Sequence, residues 1–239
     1  MKRSNFSVGN IMILVLFGIQ LFSGCDSPVE TKPARDFLAS NQLESTNFGL
    51  NSYILFSQKP EKEDSVKYAE LIKGYLNKIP ELKQLSNYLP DSSINMVWFP
   101  VLQNPDYNFN SWSQKEQIDW MIANYDYARA SSFLNKFEDN LFKGPYIVSY
   151  HKPLSQVSSV ITEKYLLQNF SQVHPKAVSL WVDEFLKQSS QTEYWNEEHL
   201  RSFSNALRNA IAIASEGLQE VGNSFSWWQE SLKGWIVLK

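Results

Sequence analysis

One cysteine and three histidines are all the thiol and imidazole metal ligands that 239 residues contain. A lone thiol, Cys25, excludes an internal disulfide and any cysteine-built metal site. His151, His174 and His199 lie far apart, and no HExxH spacing occurs. No metal centre is therefore expected, since one needs three or four convergent ligands. Glycine (9) and proline (10) are sparse, and no repeat or low-complexity block accompanies them. No glycine-rich phosphate loop and no G-x-S-x-G are present, so the chain offers no nucleotide or cofactor motif and no nucleophile elbow. The formal charge is −3, without the basic excess that nucleic-acid binding requires. Beyond residue 24 no apolar run approaches the roughly 20 residues of a bilayer span.

The one long apolar run is at the start. Lys2 and Arg3 open the chain, IMILVLFGI follows from Ile11, and Leu21-Phe22 and the small pair Ser23-Gly24 lead to Cys25. A basic start, a short apolar stretch and a small-residue cleavage site make a secretory signal peptide. With cysteine directly after the small pair, residues 1–26 resemble a bacterial lipoprotein signal peptide with its lipobox. The resemblance implies removal of residues 1–24 and a diacylglyceryl group on the Cys25 thiol, with Cys25 as the first mature residue. Two or more acyl chains anchor a protein stably where one does so marginally. The alternative is an uncleaved signal anchor from Val8 to Gly24, which leaves the lone cysteine without a role. Asp26, after the lipidated position, resembles a retention signal for the inner membrane in some bacterial lipoproteins.

Removing the leader takes away two basic and no acidic residues. The mature chain then sets 20 Lys and Arg against 25 Asp and Glu, a formal charge of −5. Eight Trp, eleven Tyr and fifteen Phe favour a bulky core. Residues 25–46, with two prolines and little apolar periodicity, read as a lipid-anchored tether. Residues 47–239 read as one domain. Short apolar segments at 50–56, 94–102, 146–150, 165–170 and 235–238 have the length and the β-branched or aromatic content of strands. Pro100 would place the second at a sheet edge or end its ladder early. Helical spacing runs from Val66 to Ile79. Ser113-Gln-Lys-Glu116 has the form of a capping box opening a helix through Trp120, Ile122, Tyr127 and Phe133. His174-Pro175 starts another, because proline's missing N–H has no partner at the first helical position. A longer helix is expected from about Asn196 to Gly217. Strands alternating with helices predict an α/β or α+β fold, one compact domain with a short mixed sheet and several amphipathic helices.

Four polar or aromatic segments could carry chemistry. In NPDYNFNS, Asp106, Asn108 and Asn110 imitate the first ligands of an EF-hand. Ser111 stands where the loop needs glycine and Gln117 where it needs glutamate, so a plain strand-to-helix connection is expected. Ser149-Tyr-His-Lys152 has the S-x-x-K form, but in an extended chain its ends point to opposite faces. NYDYARA brings together Tyr125, Asp126 and Arg129, which could line a ligand pocket or form a helical ion pair with packed tyrosines. FSWWQESLKGWIVLK could lay Trp228, Leu232 and Trp235 on lipid headgroups or pack them in the core.

These residues lead to a membrane-anchored bacterial envelope lipoprotein facing the periplasm or exterior, with a ligand- or protein-binding module as its working part. An envelope hydrolase using carboxylates and an envelope assembly factor are the alternatives. The membrane, through Cys25, is the expected partner, with an envelope protein or small molecule as ligand and no nucleic acid.

Overall fold

The computed structural model describes residues 30–137, 144–171, 173–191 and 195, with the backbone of the strand at 235–238. Cys25 and the leader lie outside the described residues. So do the helix expected from Asn196, His199, Trp228 and Leu232.

The expected segments at 50–56, 94–102, 146–150, 165–170 and 235–238 are strands β2 (Leu50–Phe56), β3 (Ile94–Val101), β4 (Pro145–Tyr150), β5 (Tyr165–Asn169) and β6 (Trp235–Leu238). Trp235 thus belongs to a strand, not to a helical headgroup face. Every residue of β2, β3 and β4 is buried. Burial on both faces explains why their apolar content is continuous and does not alternate. One strand was not expected. Lys32–Ala39, inside the segment read as tether, forms β1 and pairs in parallel with β3 along its whole length. The tether assignment therefore fails from residue 32 onward. KPARDFLA has the charge and proline of an edge strand, and its weak apolar pattern reflects one-sided pairing.

The sheet order is β1-β3-β2-β4-β5-β6. Strands β1, β3 and β2 are parallel, whereas β4, β5 and β6 each run antiparallel to the preceding strand in that order. This is a compact α/β domain with a mixed sheet. Because β3 lies between β1 and β2, Pro100 is not on an edge. Its effect is the other one expected: pairing with β2 stops at Trp98, and the Pro100 carbonyl accepts from Asp126 N–H at 3.3 Å.

Helices cover both faces. On one, α1 (Ser65–Lys78) and α5 (Pro175–Ser189) pack on each other. Gly74 permits the approach, since a Cβ there would already meet Ser179 Cα at 3.3 Å. Between α1 and β3 lies the short α2 (Leu82–Leu85). The expected capping box is present: Ser113 accepts from Glu116 N–H and Glu116 from Ser113 N–H at the start of α3 (Gln114–Ala123). That helix does not run on to Phe133. The chain bends around the far end of β3, where Tyr125 bridges Val101 and Asp126 caps a new helix, α4 (Tyr127–Leu134), on the opposite face. An N-cap carboxylate satisfies orphan amides at a helix start, and the rim of the sheet supplies the hydrogen bonds of the gap. His174 and Pro175 open α5 as expected, His174 Nδ1 accepting from Lys176 N–H.

A chain of buried polar side chains crosses the face under α5. Ser149 and Ser52 hydroxyls are 2.6 Å apart, Ser52 donates to Asn95 Oδ1 at 2.8 Å, and Asn95 Nδ2 donates to Ser190 Oγ at 3.0 Å. Their polar atoms are paired with one another, so burial carries no desolvation deficit.

The edge of β1 is closed group by group. Among alternate positions, Thr31 N–H donates to Ser190 O, Arg35 N–H to Pro80 O, Phe37 N–H to Asp36 Oδ1 and Ala39 N–H to Gln42 Oε1. Position 33 is proline and has no donor. Side-chain caps at 37 and 39 block edge-to-edge pairing without adding a strand. The double variant Asp36→Ala, Gln42→Ala loses two hydrogen bonds contributing about 1 kcal/mol each. It should self-associate at concentrations where the wild type sediments as before; an unchanged sedimentation profile would show that the caps do not protect the edge.

Candidate functional site

A groove of about 450 Å³ opens beside the middle of β1, between α2 and the loop that leaves the far end of β3. β1 contributes Arg35 and Phe37, the N-cap of α2 contributes Glu81 and its first turn Lys83, and the loop contributes Tyr107 and Phe109. The aromatic floor is set by sequence alternation. Phe37 turns to the α1 face with Phe99, and packs edge-on against Phe109 (5.4 Å) and Trp120 (6.0 Å). At the rim Tyr107 is 102 % exposed.

Charges at the groove are tied to one another. Arg35 Nη2 lies 3.1 Å from Glu81 Oε1, Lys83 Nζ lies 2.6 Å from Glu81 Oε2, and Arg35 Nε donates to Ile79 O at 2.9 Å. The guanidinium also sits 5.7 Å from the Tyr75 ring centroid. Burial opposes ionisation of Glu81, but the Lys83 hydrogen bond and the charges of Arg35 and Lys83 outweigh it and hold the carboxyl below its usual range. A lowered folded pKa means a contribution complete above the unfolded value and lost as pH falls through the folded one. Glu81→Gln should therefore be less stable than wild type at neutral pH, and the gap in urea midpoint should narrow below about pH 4. A gap constant with pH would show that ionised Glu81 does not contribute.

Of the residues singled out from sequence, Asp106 and Asn110 line the groove, and the others lie elsewhere. Tyr125 is buried, its hydroxyl accepting from Phe56 N–H and donating to Ile54 O, both at 2.9 Å. Asp126 accepts from Arg129 N–H at 2.9 Å and from Ser40 Oγ at 2.6 Å. The Arg129 guanidinium donates to the carbonyls of Ala39, Ser40 and Gln42. The three are neighbours, but Tyr125 is fastened to β2 while Asp126 and Arg129 fasten the end of β1 to α4, and none of them lines this groove. Asp126 meets the Arg129 backbone, not the guanidinium, so the expected helical ion pair is replaced by a cap. Ser149 is buried against Ser52, while Lys152 is bound to Glu163 at 2.6 Å, so the S-x-x-K ends serve different partners. Asp106, Asn108 and Asn110 lie in the connection from β3 to α3. A short helical turn, Phe109–Ser111, shapes that connection, and Asp106 O accepts from Phe109 N–H. Among the described residues no three His, Cys, Asp or Glu side chains gather as metal ligands. His151 contacts Trp195 with ring centroids 4.1 Å apart.

Sequence reasoning missed the groove because Arg35, Glu81 and Tyr107 are far apart in the chain. One signal was available: Tyr107 stands in a polar stretch, with no apolar residue three or four positions away to share a helical face with it.

No protein family, no curated protein and no solved structure matches this chain.

Proposed function

We propose that this chain is a lipid-anchored bacterial envelope protein, held through Cys25, whose α/β domain is a binding module with the groove beside β1 as its ligand or partner site. The leader carries the anchoring half of the reading, and Asp26 favours the inner membrane. The binding half rests on one observation: an open groove with an aromatic floor and a fully exposed tyrosine at its rim, extending from the middle of β1 to the loop beyond Val101, at the far end of the sheet from Thr31. A concave site with an apolar base and a few polar groups is how ligands are held. Binding is supported over carboxylate hydrolysis because Glu81 has both oxygens engaged, by Arg35 and Lys83. Held ionised by these two cations, it is poorly suited to donate a proton.

Metabolic lipid labelling with fractionation tests the anchor. Wild type should carry the label in the membrane fraction, and Cys25→Ser should be unlabelled and accumulate with residues 1–24 attached. A wild-type protein without label ends the reading. A photocrosslinking residue at position 107 should give an adduct in intact envelopes, whereas one at the exposed Val66 on α1 should not; adducts at both or neither remove the groove from consideration.

A further inference from the structure

The groove follows the line of a strand that the chain begins and then abandons. β1 is an edge of the sheet. On its open side Pro80 and Glu81 run parallel to it, Pro80 O accepting from Arg35 N–H at 2.8 Å and Glu81 bridging Arg35. Glu81 still has extended backbone, but it is the N-cap of α2, and the chain turns away into that helix. Beside the next outward-facing residue, Phe37, no described backbone takes its place. The Phe37 N–H is held by the Asp36 carboxylate of its own strand, an exposed bond of 2.8 Å. Alternation along the strand turns Phe37 C=O the same way, and no described residue donates to it. Past Phe37 the edge closes again, with Gln42 Oε1 on Ala39 N–H.

Arg35, Asp36 and Phe37 are also what β1 contributes to the groove, so the gap in the ladder and the groove coincide. A polypeptide passing there meets one donor and one acceptor already set at strand geometry. The Asp36 cap is a single solvent-exposed bond, which another acceptor can replace at little cost. Side chains of a paired strand alternate, and the one level with Phe37 stands against Phe37 and Phe109 beside the exposed Tyr107. The charged lining is Asp36, Glu81 and Asp106 against Arg35 and Lys83. Both cations are engaged by Glu81, whereas Asp36 and Asp106 make no ion pair among the described residues. The charge left unmatched in the groove is therefore negative.

We propose that the groove takes an extended segment of a partner protein that carries a lysine or arginine, paired with β1 through Phe37 N–H and C=O along the line that Glu81 begins. Strand addition at an open sheet edge lets backbone bonds supply affinity and side-chain pockets supply selectivity. The inference rests on the groove being the binding site, as proposed above. In the free protein the Asp36 cap keeps the edge from pairing indiscriminately. The segment displaces that cap, and its cation meets the released carboxylate.

Selection of a displayed library of random linear nonapeptides on the full-length protein in detergent tests this. Enriched sequences should carry Lys or Arg, and the synthetic peptides should slow hydrogen exchange at the Phe37 amide about tenfold or more while leaving Val66 unchanged. Replacing Phe37 by phenyllactate keeps the ring and removes the N–H. Peptide affinity should then fall about tenfold, as for one lost hydrogen bond, with circular dichroism showing the fold retained. Asp106→Asn should weaken the same peptides about threefold at low salt and leave them unchanged at about 0.5 M salt. An Asp106→Asn affinity equal to wild type at low salt overturns the basic character of the segment. If no peptide is enriched, or if bound peptides leave Phe37 exchange unchanged and ignore its N–H, strand addition is overturned. Adducts at position 107 in intact envelopes would in that case keep the groove as the site of another ligand; without them the groove reading fails as well.

Discussion

Gly49→Ala lowers stability by about 3 kcal/mol, the upper part of the range for forcing atoms into a packed site. Gly49 precedes β2, and its N–H donates to Asp91 O at 3.2 Å. A Cβ at this position would stand 2.1 Å from Ser92 O, 2.9 Å from Thr31 Cγ2 and 3.0 Å from Ser92 C. None of these atoms can give way cheaply. Ser92 is backbone in the turn that feeds β3, and Thr31 is pinned to Ser190. Moving the turn also strains Asn95, which is fully buried and bonded to Ser52 and Ser190. Gly74→Ala is the matched comparison: its nearest neighbour is 3.3 Å away, and a gain in helix propensity of up to about 1 kcal/mol offsets the crowding. Urea denaturation should separate the two variants clearly. A Gly49→Ala midpoint equal to wild type would mean that the contact between the turn and β2 is looser than described.

Tyr125→Ala is the second large effect, about 3–5 kcal/mol, as for other aromatic truncations in a core. The ring stacks on Phe56 at 4.4 Å and meets Phe99 edge-on at 5.1 Å and Tyr127 at 4.8 Å. Tyr125→Phe divides this effect into its parts. The rings remain, but Phe56 N–H and Ile54 C=O each lose a buried partner, which costs about 1–3 kcal/mol. Burial also pushes the phenol well above its ordinary pKa, so the hydroxyl remains a donor to Ile54 throughout the neutral and mildly alkaline range. Calorimetric unfolding of the two variants should rank wild type above Phe and Phe above Ala. A Phe variant as stable as wild type would show that the hydroxyl bridge contributes nothing net.

This tyrosine also shows how a suggestive cluster can be misread. Tyr125, Asp126 and Arg129 look alike whether they surround a ligand or fasten two elements, because both tasks need a phenol, a carboxylate and a guanidinium close together. Their neighbours decide. Here the acceptors are carbonyls at the end of β1 and in β2, and those residues are some 70 to 90 positions away in the chain. The single helix expected across 114–133 broke for a related reason. Local spacing allows it to continue, but Val101, at the rim of the sheet, takes Tyr125 as a bridge partner and leaves Asp126 to start again.

Composition and local pattern alone specified the five apolar strands, the Ser113–Glu116 cap, the proline start of α5 and the α/β class, because burial on both faces and orphan amides at helix ends act within a few residues. Strand order, the edge strand Lys32–Ala39 and the groove beside it depended on the tertiary structure. Each arises where residues far apart in the chain meet, and a paired edge strand needs too little apolar surface to announce itself beforehand.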